Sequence, residues 1–148
     1  MCAAPTVAQA RWTATDGRID RDRMLDITLP HVDAWNMWWS QYDNTAAGFA
    51  REKARVDQLI RAAGRSVDDV QATAAVHVRL EGGAVRLMGD YVGEAAVEPL
   101  TGSRDDLVDQ LRGFEAAGAA HVQLCVDPIT RDSIEWLGGA LTAFRRTR

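Results

Sequence analysis

Ten residues set the architecture of this chain: Gln71-Ala72-Thr73-Ala74-Ala75-Val76-His77-Val78-Arg79-Leu80. Ala72, Ala74, Val76, Val78 and Leu80 recur at every second position, with Thr73, Ala75, His77 and Arg79 between them. Period two predicts a β-strand, because successive side chains along a strand point to opposite faces.

Helical spacing lies on both sides of that strand. Upstream, Phe49, Ala50, Val56, Leu59, Ile60 and Ala63 fall on a helix that Asn44 or Thr45 can N-cap and Gly64 ends. Before it, residues 32–36 form a short strand candidate, followed by the aromatic loop Met37-Trp38-Trp39-Ser40-Gln41-Tyr42. Residues 21–29 make a short helix with Met24, Leu25 and Thr28 on one face, stopped by Pro30.

Downstream, residues 81–101 are Gly-rich and unperiodic, a long loop with a short extended piece around 85–88. Ser103-Arg104-Asp105-Asp106 then reads as a capping box in which Asp106 stands for the usual Glu or Gln. Leu107, Leu111 and Phe114 give that helix its apolar stripe, and Gly118 closes it. Residues 121–126 are an apolar strand. The last helix starts near Thr130, with Ile134, Leu137, Leu141 and Phe144 inward.

Helices alternating with strands at this spacing imply right-handed crossovers and a parallel sheet. The expected fold is α/β, about three parallel strands with four helices. Residues 1–19 read as a loose arm and 20–148 as one domain. At 148 residues the chain is too short for a closed eight-fold β/α barrel, which needs about 250. The outer strands would leave apolar edges that something must cover.

Composition narrows the function classes. Seventeen basic and 21 acidic residues give a net charge of −4. The one basic cluster, Arg145, Arg146 and Arg148, ends a helix where cations complement the dipole, so no nucleic-acid partner is expected. No apolar run is long enough for a membrane span, and the N-terminus lacks the pattern of a signal peptide. Cys2 and Cys125 do not make a disulfide framework, and Cys125 reads as a small buried hydrophobe. These features together suggest a cytoplasmic protein.

Common catalytic signatures, phosphate-binding loops, metal-binding His pairs and nucleophile elbows are absent from the sequence. His31, His77 and His121 have no ligand partner at metal spacing, so no metal is expected. What remains is Asp33, Trp35 and Asn36 at a strand end, where α/β folds place their ligand sites. Trp35, Trp38, Trp39 and Tyr42 put four large rings within eight residues, able to wall a flat ligand, form an interface or fill the core. Asp127, before Pro128, either N-caps the last helix or contacts a ligand.

Several stretches together resemble one family. Arg23-Met24-Leu25 and Leu29-Pro30-His31-Val32-Asp33-Ala34-Trp35-Asn36 resemble the R-x-L…A-D-G/A-W-N segment of bacterial luciferase-like oxidoreductases. Ala62-Ala63-Gly64-Arg65 is similar to their A-G-R-D turn, with Ser66 in the place of Asp. Pro99-Leu100-Thr101-Gly102-Ser103, Leu107, Leu111, Phe114, Ala117-Gly118 and His121-Val122-Gln123-Leu124 resemble the closing G-[ST]-x-E-E…L…A-G-x-x-H-V-x-L segment. The likeness spans about residues 21–137 and rests on the order of the motifs.

The resemblance implies a partial TIM-type barrel whose three strands correspond to the sixth, seventh and eighth. It also implies hydride transfer or monooxygenation of a small-molecule substrate with reduced flavin mononucleotide or an 8-hydroxy-5-deazaflavin coenzyme. Only Trp35, Asn36 and His77 carry over as coenzyme-binding candidates. No catalytic acid or base is assigned. The Gly-Gly end of the family's fifth strand has no counterpart here, which leaves open a chain without coenzyme. The alternatives are a non-catalytic partial barrel that self-associates as a homo-oligomer, or a truncated reading frame.

Overall fold

The structure is a computed structural model that describes residues 7–8, 21–84 and 97–146, with Val7, Ala8, Arg21 and Asp22 described as backbone. Strand β1 is Val7–Ala8, α1 is Arg21–Thr28, β2 is Ala34–Met37 and α2 is Ala46–Ala62. They are followed by β3 at Gln71–Arg79, α3 at Arg104–Ala116, β4 at His121–Asp127 and α4 at Arg131–Arg146. The strands form one parallel sheet in the order β1-β2-β3-β4. Three strands and the four helices match the sequence expectation. The fourth strand, two residues within the predicted arm, does not follow from any sequence pattern. The extended piece expected at 85–88 lies outside the described residues.

Local chemistry places the helix ends. Thr45, not Asn44, caps α2, its Oγ1 accepting from the Gly48 N–H at 3.0 Å. Gly48 is required there by close approach: a Cβ would stand 1.8 Å from the Tyr42 carbonyl oxygen. Gly64 follows the helix at φ 75°, the left-handed region that costs glycine least. Ser103 and Asp106 form the capping box of α3, with Asp106 Oδ2 accepting from Ser103 N at 2.7 Å and Ser103 Oγ from Asp106 N at 3.2 Å. Thr130 caps α4, its Oγ1 accepting from Ser133 N at 3.1 Å. The expected cap from Asp127 is thereby corrected: Pro128 and Ile129 separate it from the helix start.

Register fixes which side chains share a face. Trp35 pairs with Ala72 and Met37 with Ala74, while Asn36 pairs with Thr73. Across the other seam Ala74 pairs with Val122 and His77 with Cys125. The even positions of β3 therefore turn toward the helices, where Trp35, Met37, Phe49, Val56, Ile60, Leu107, Leu111 and Phe114 make one core. Phe49 lies 5.9 Å from Phe114 and 5.7 Å from Tyr42, ring centre to ring centre. The helices lie side by side as α1-α2-α3-α4. Ile134, expected inward, is 54% exposed, and Met24 on α1 is 41% exposed. Cys125 is half-buried.

The turn into β2 is held by one side chain. Arg65 donates from Nη1 to the carbonyls of Leu29 at 2.9 Å and Val32 at 2.5 Å, and from Nη2 to Asp69 O at 3.3 Å. This gives the Gly64-Arg65 turn a physical task, tying the end of α2 to the strand that precedes it in sequence.

Candidate functional site

The odd positions of β3 and β4 face away from the helices, and they carry the polar chemistry. Thr73, Ala75, His77 and Arg79 lie beside His121, Gln123, Cys125 and Asp127, with Asn36 beside Thr73. Thr73 Oγ1 lies 2.9 Å from Trp35 O and 2.8 Å from Asn36 Oδ1. One hydroxyl proton serves two acceptors, so Asn36 keeps hydrogen-bonding capacity beyond this pair. Asn36 is half-buried, with room to use it.

His77 sits two pairs further along the same face, and its ring lies 5.1 Å from that of Trp39. Trp38 stacks on Trp39 at 3.7 Å, forming an aromatic platform just past the end of β2. Trp39 Nε1 is buried and has no hydrogen-bond partner among the described residues.

The three sequence candidates are thus divided. Asn36 and His77 share the face opposite the helices. Trp35 is 2% exposed on the helix side, its ring stacked on Phe49 at 5.8 Å, where it fills the core. The ring next to His77 is Trp39, which carries Trp38 stacked on it, two members of the aromatic cluster whose separate directions the sequence does not reveal.

Beyond Met37, β2 ends and β3 continues, so its backbone needs other partners. Tyr42 OH donates to Ala75 O at 2.6 Å. Asn44 then behaves like a strand residue: Oδ1 accepts from His77 N at 3.0 Å and Nδ2 donates to His77 O at 2.9 Å. Leu100 takes over next, its N–H donating to His77 O and its carbonyl accepting from Arg79 N. Burial, reinforced by Cys125, holds the Tyr42 phenol well above its ordinary value, so it stays a neutral donor. The sequence offers Tyr42 as one ring of the aromatic cluster and Asn44 as a helix cap, and neither pattern predicts bonding to the β3 backbone.

An open cavity of about 700 Å³ lies at the C-terminal ends of β3 and β4, lined by Arg79, Thr101, Thr130, Ser133 and Trp136 among others. Parallel α/β sheets bind ligands at that end. Among the described residues no three His, Cys, Asp or Glu side chains gather as metal ligands do. No described helix is long and apolar enough to cross a membrane.

No protein-family model matches the sequence, and no curated protein does. Solved structures do match. Coenzyme F420-dependent tetrahydromethanopterin reductase from Methanopyrus kandleri superposes with a TM-score of 0.57 at 16% identity, covering 83% of this chain and 48% of that one. An F420-dependent secondary alcohol dehydrogenase, solved with an F420–acetone adduct, gives 0.60 at 8% identity, covering 83% and 46%. The fold is part of a β/α barrel, similar to the barrels of these enzymes. DmoA from Hyphomicrobium sulfonivorans gives 0.58 at 10% identity, covering 91% and 41%. The chain spans less than half the length of each of these barrels. In a barrel of this kind the helices lie outside, so Asn36, Thr73 and His77 occupy the inward face.

Proposed function

We propose that this chain contributes to an F420-type, deazaflavin-dependent oxidoreductase, supplying part of the wall that holds the coenzyme ring. One observation carries the reading: the inward face presents Asn36 and His77 beside the stacked Trp38–Trp39 pair at the strand ends. The shared fold with two enzymes named for F420 supports it.

The side chains fit such a group. A flat heteroaromatic ring rimmed with carbonyl and ring-nitrogen acceptors needs an apolar wall and a few unspent polar atoms. Trp38, half-buried and backed by the buried Trp39, supplies the wall, and the half-buried Asn36 carboxamide supplies the polar atoms. When bound, the reduced deazaflavin supplies a hydride. The chain's own residues orient the ring and exclude water; His77, held at its backbone by Asn44, would keep its imidazole at a set position against Trp39.

Titrating the purified chain into F420 and following the coenzyme's fluorescence tests this. Saturable quenching is expected, weakened at least tenfold by Trp38→Leu, with flavin mononucleotide as the competitor. Unchanged F420 fluorescence up to high micromolar protein would end the reading.

A further inference from the structure

We infer that the cavity at the C-terminal ends of β3 and β4 is an oxyanion site anchored by Arg79, which takes the phosphate-type group of a small ligand. The inference rests on the arginine and the cavity and not on the coenzyme assignment.

The pairing of the arginines is the first ground. Four arginines among the described residues are half-buried: Arg55, Arg65, Arg79 and Arg112. Arg55 donates to Glu52 at 3.1 Å, Arg65 to the carbonyls of Leu29 and Val32, and Arg112 to Glu115 at 2.6 Å. The Arg79 guanidinium has no acceptor among the described residues. Its neighbour in the β3–β4 register is Asp127, yet no ion pair joins the two, and Asp127 Oδ2 is buried without a hydrogen-bond partner. Arg79 lines the cavity instead. A guanidinium drawn partly out of water keeps five donors to spend, and its planar fork fits two oxygens of one phosphate or carboxylate.

The cavity supplies further donors. Its volume of about 700 Å³ holds a small organic ligand. Ser133, only 5% exposed, has its hydroxyl 2.8 Å from that of Thr130, whose Oγ1 also accepts from Ser133 N. One of the two hydroxyl protons is spent between them, which leaves the other to donate into the cavity. Thr101 adds a hydroxyl from the loop before α3, and Trp136 gives an apolar floor.

Two carboxylates, Glu81 and Asp132, stand on the same rim. Both are exposed, so water screens their repulsion, whereas Arg79 and Ser133 are sheltered. The acids weaken binding without reversing it, and they give the test charges of both signs.

Arg79 lies two residues beyond His77 on the same face, a distance of about 7 Å along the strand. A ring held against Trp38 with an anionic group trailing along β3 reaches Arg79, and so does a separate phosphorylated molecule. The phosphate group is the chemistry common to both.

Isothermal titration of the purified chain with inorganic phosphate, at constant ionic strength, is the test. Saturable binding is expected, competed by sulfate and not by chloride. Arg79→Gln should weaken it at least tenfold with an unchanged melting temperature, because the side chain bonds nothing else in the fold. Arg79→Lys should recover part of the loss, and Glu81→Gln and Asp132→Asn should each tighten binding. Repeating the titration with F420 present names the source of the anion: competition assigns the site to the coenzyme's own phosphate-bearing tail, and simultaneous binding to a second molecule. A chain that binds phosphate and not F420 keeps the site and loses the coenzyme reading. Absence of saturable binding, equal competition by chloride, or an unchanged affinity in Arg79→Gln would each overturn the proposal.

Discussion

The Asn44 carboxamide pairs with the backbone of His77 as a neighbouring strand would, accepting from its N–H at 3.0 Å and donating to its carbonyl at 2.9 Å. Asn44 is fully buried and has φ 53°, a conformation Asn tolerates better than most residues. Nδ2 also reaches Glu98 O at 3.1 Å, tying the loop before α3 to the same point. Asn44→Ala strands buried backbone groups and should cost about 2–4 kcal/mol, read by urea unfolding. Asn44→Asp should cost at least as much, since it puts a carboxylate against two carbonyl oxygens. A loss below about 0.5 kcal/mol for either would contradict the strand-like role.

Gly48→Ala places a methyl group 1.8 Å from the Tyr42 carbonyl oxygen, which is backbone and cannot swing aside. Relief requires moving the 39–42 turn and with it the Tyr42–Ala75 hydrogen bond. A destabilisation of about 3 kcal/mol or more is expected, large for so small a change. Thermal unfolding of the variant against wild type decides it, and an unchanged midpoint would mean that the turn adapts freely.

Arg65 bridges the Leu29 and Val32 carbonyls at the turn into β2. Arg65→Ala should destabilise the fold by about 1.5–3 kcal/mol, the range for hydrogen bonds to charged groups. Arg65→Lys should recover only part of this, because an ammonium lacks the planar fork. Full recovery by Lys in chemical denaturation would show that charge alone matters.

The Ser103–Asp106 box predicts a pH dependence. Hydrogen bonds from Ser103 lower the Asp106 carboxyl below its usual range, so the folded state binds that proton more weakly than the unfolded chain does. The stabilisation is therefore present above the unfolded value, about 3.9, and disappears as pH falls through the lower folded value. The melting difference between wild type and Asp106→Ala should be constant near neutrality and shrink below pH ~4. A difference that persists into stronger acid would refute the capping carboxylate.

The sequence by itself determined what depends on neighbours within a turn or two. Period two in residues 71–80, the spacing from Phe49 to Ile60 and the Ser103-x-x-Asp106 cap all became the elements they predicted. Backbone geometry makes each of these signals local. The order of the moderate motifs carried the barrel likeness as well, although no single motif did.

Tertiary structure decided what depends on partners far along the chain. It set Val7–Ala8 beside β2, turned Trp35 into the core while Trp39 went to His77, and gave Asn44 a strand's work instead of a helix cap. It also left Ile134 in water at the rim of the helix layer, because an apolar stripe says that a face will be buried and not against what. Those outcomes follow from which strand lies alongside which, and periodicity along one segment holds no information about its neighbour.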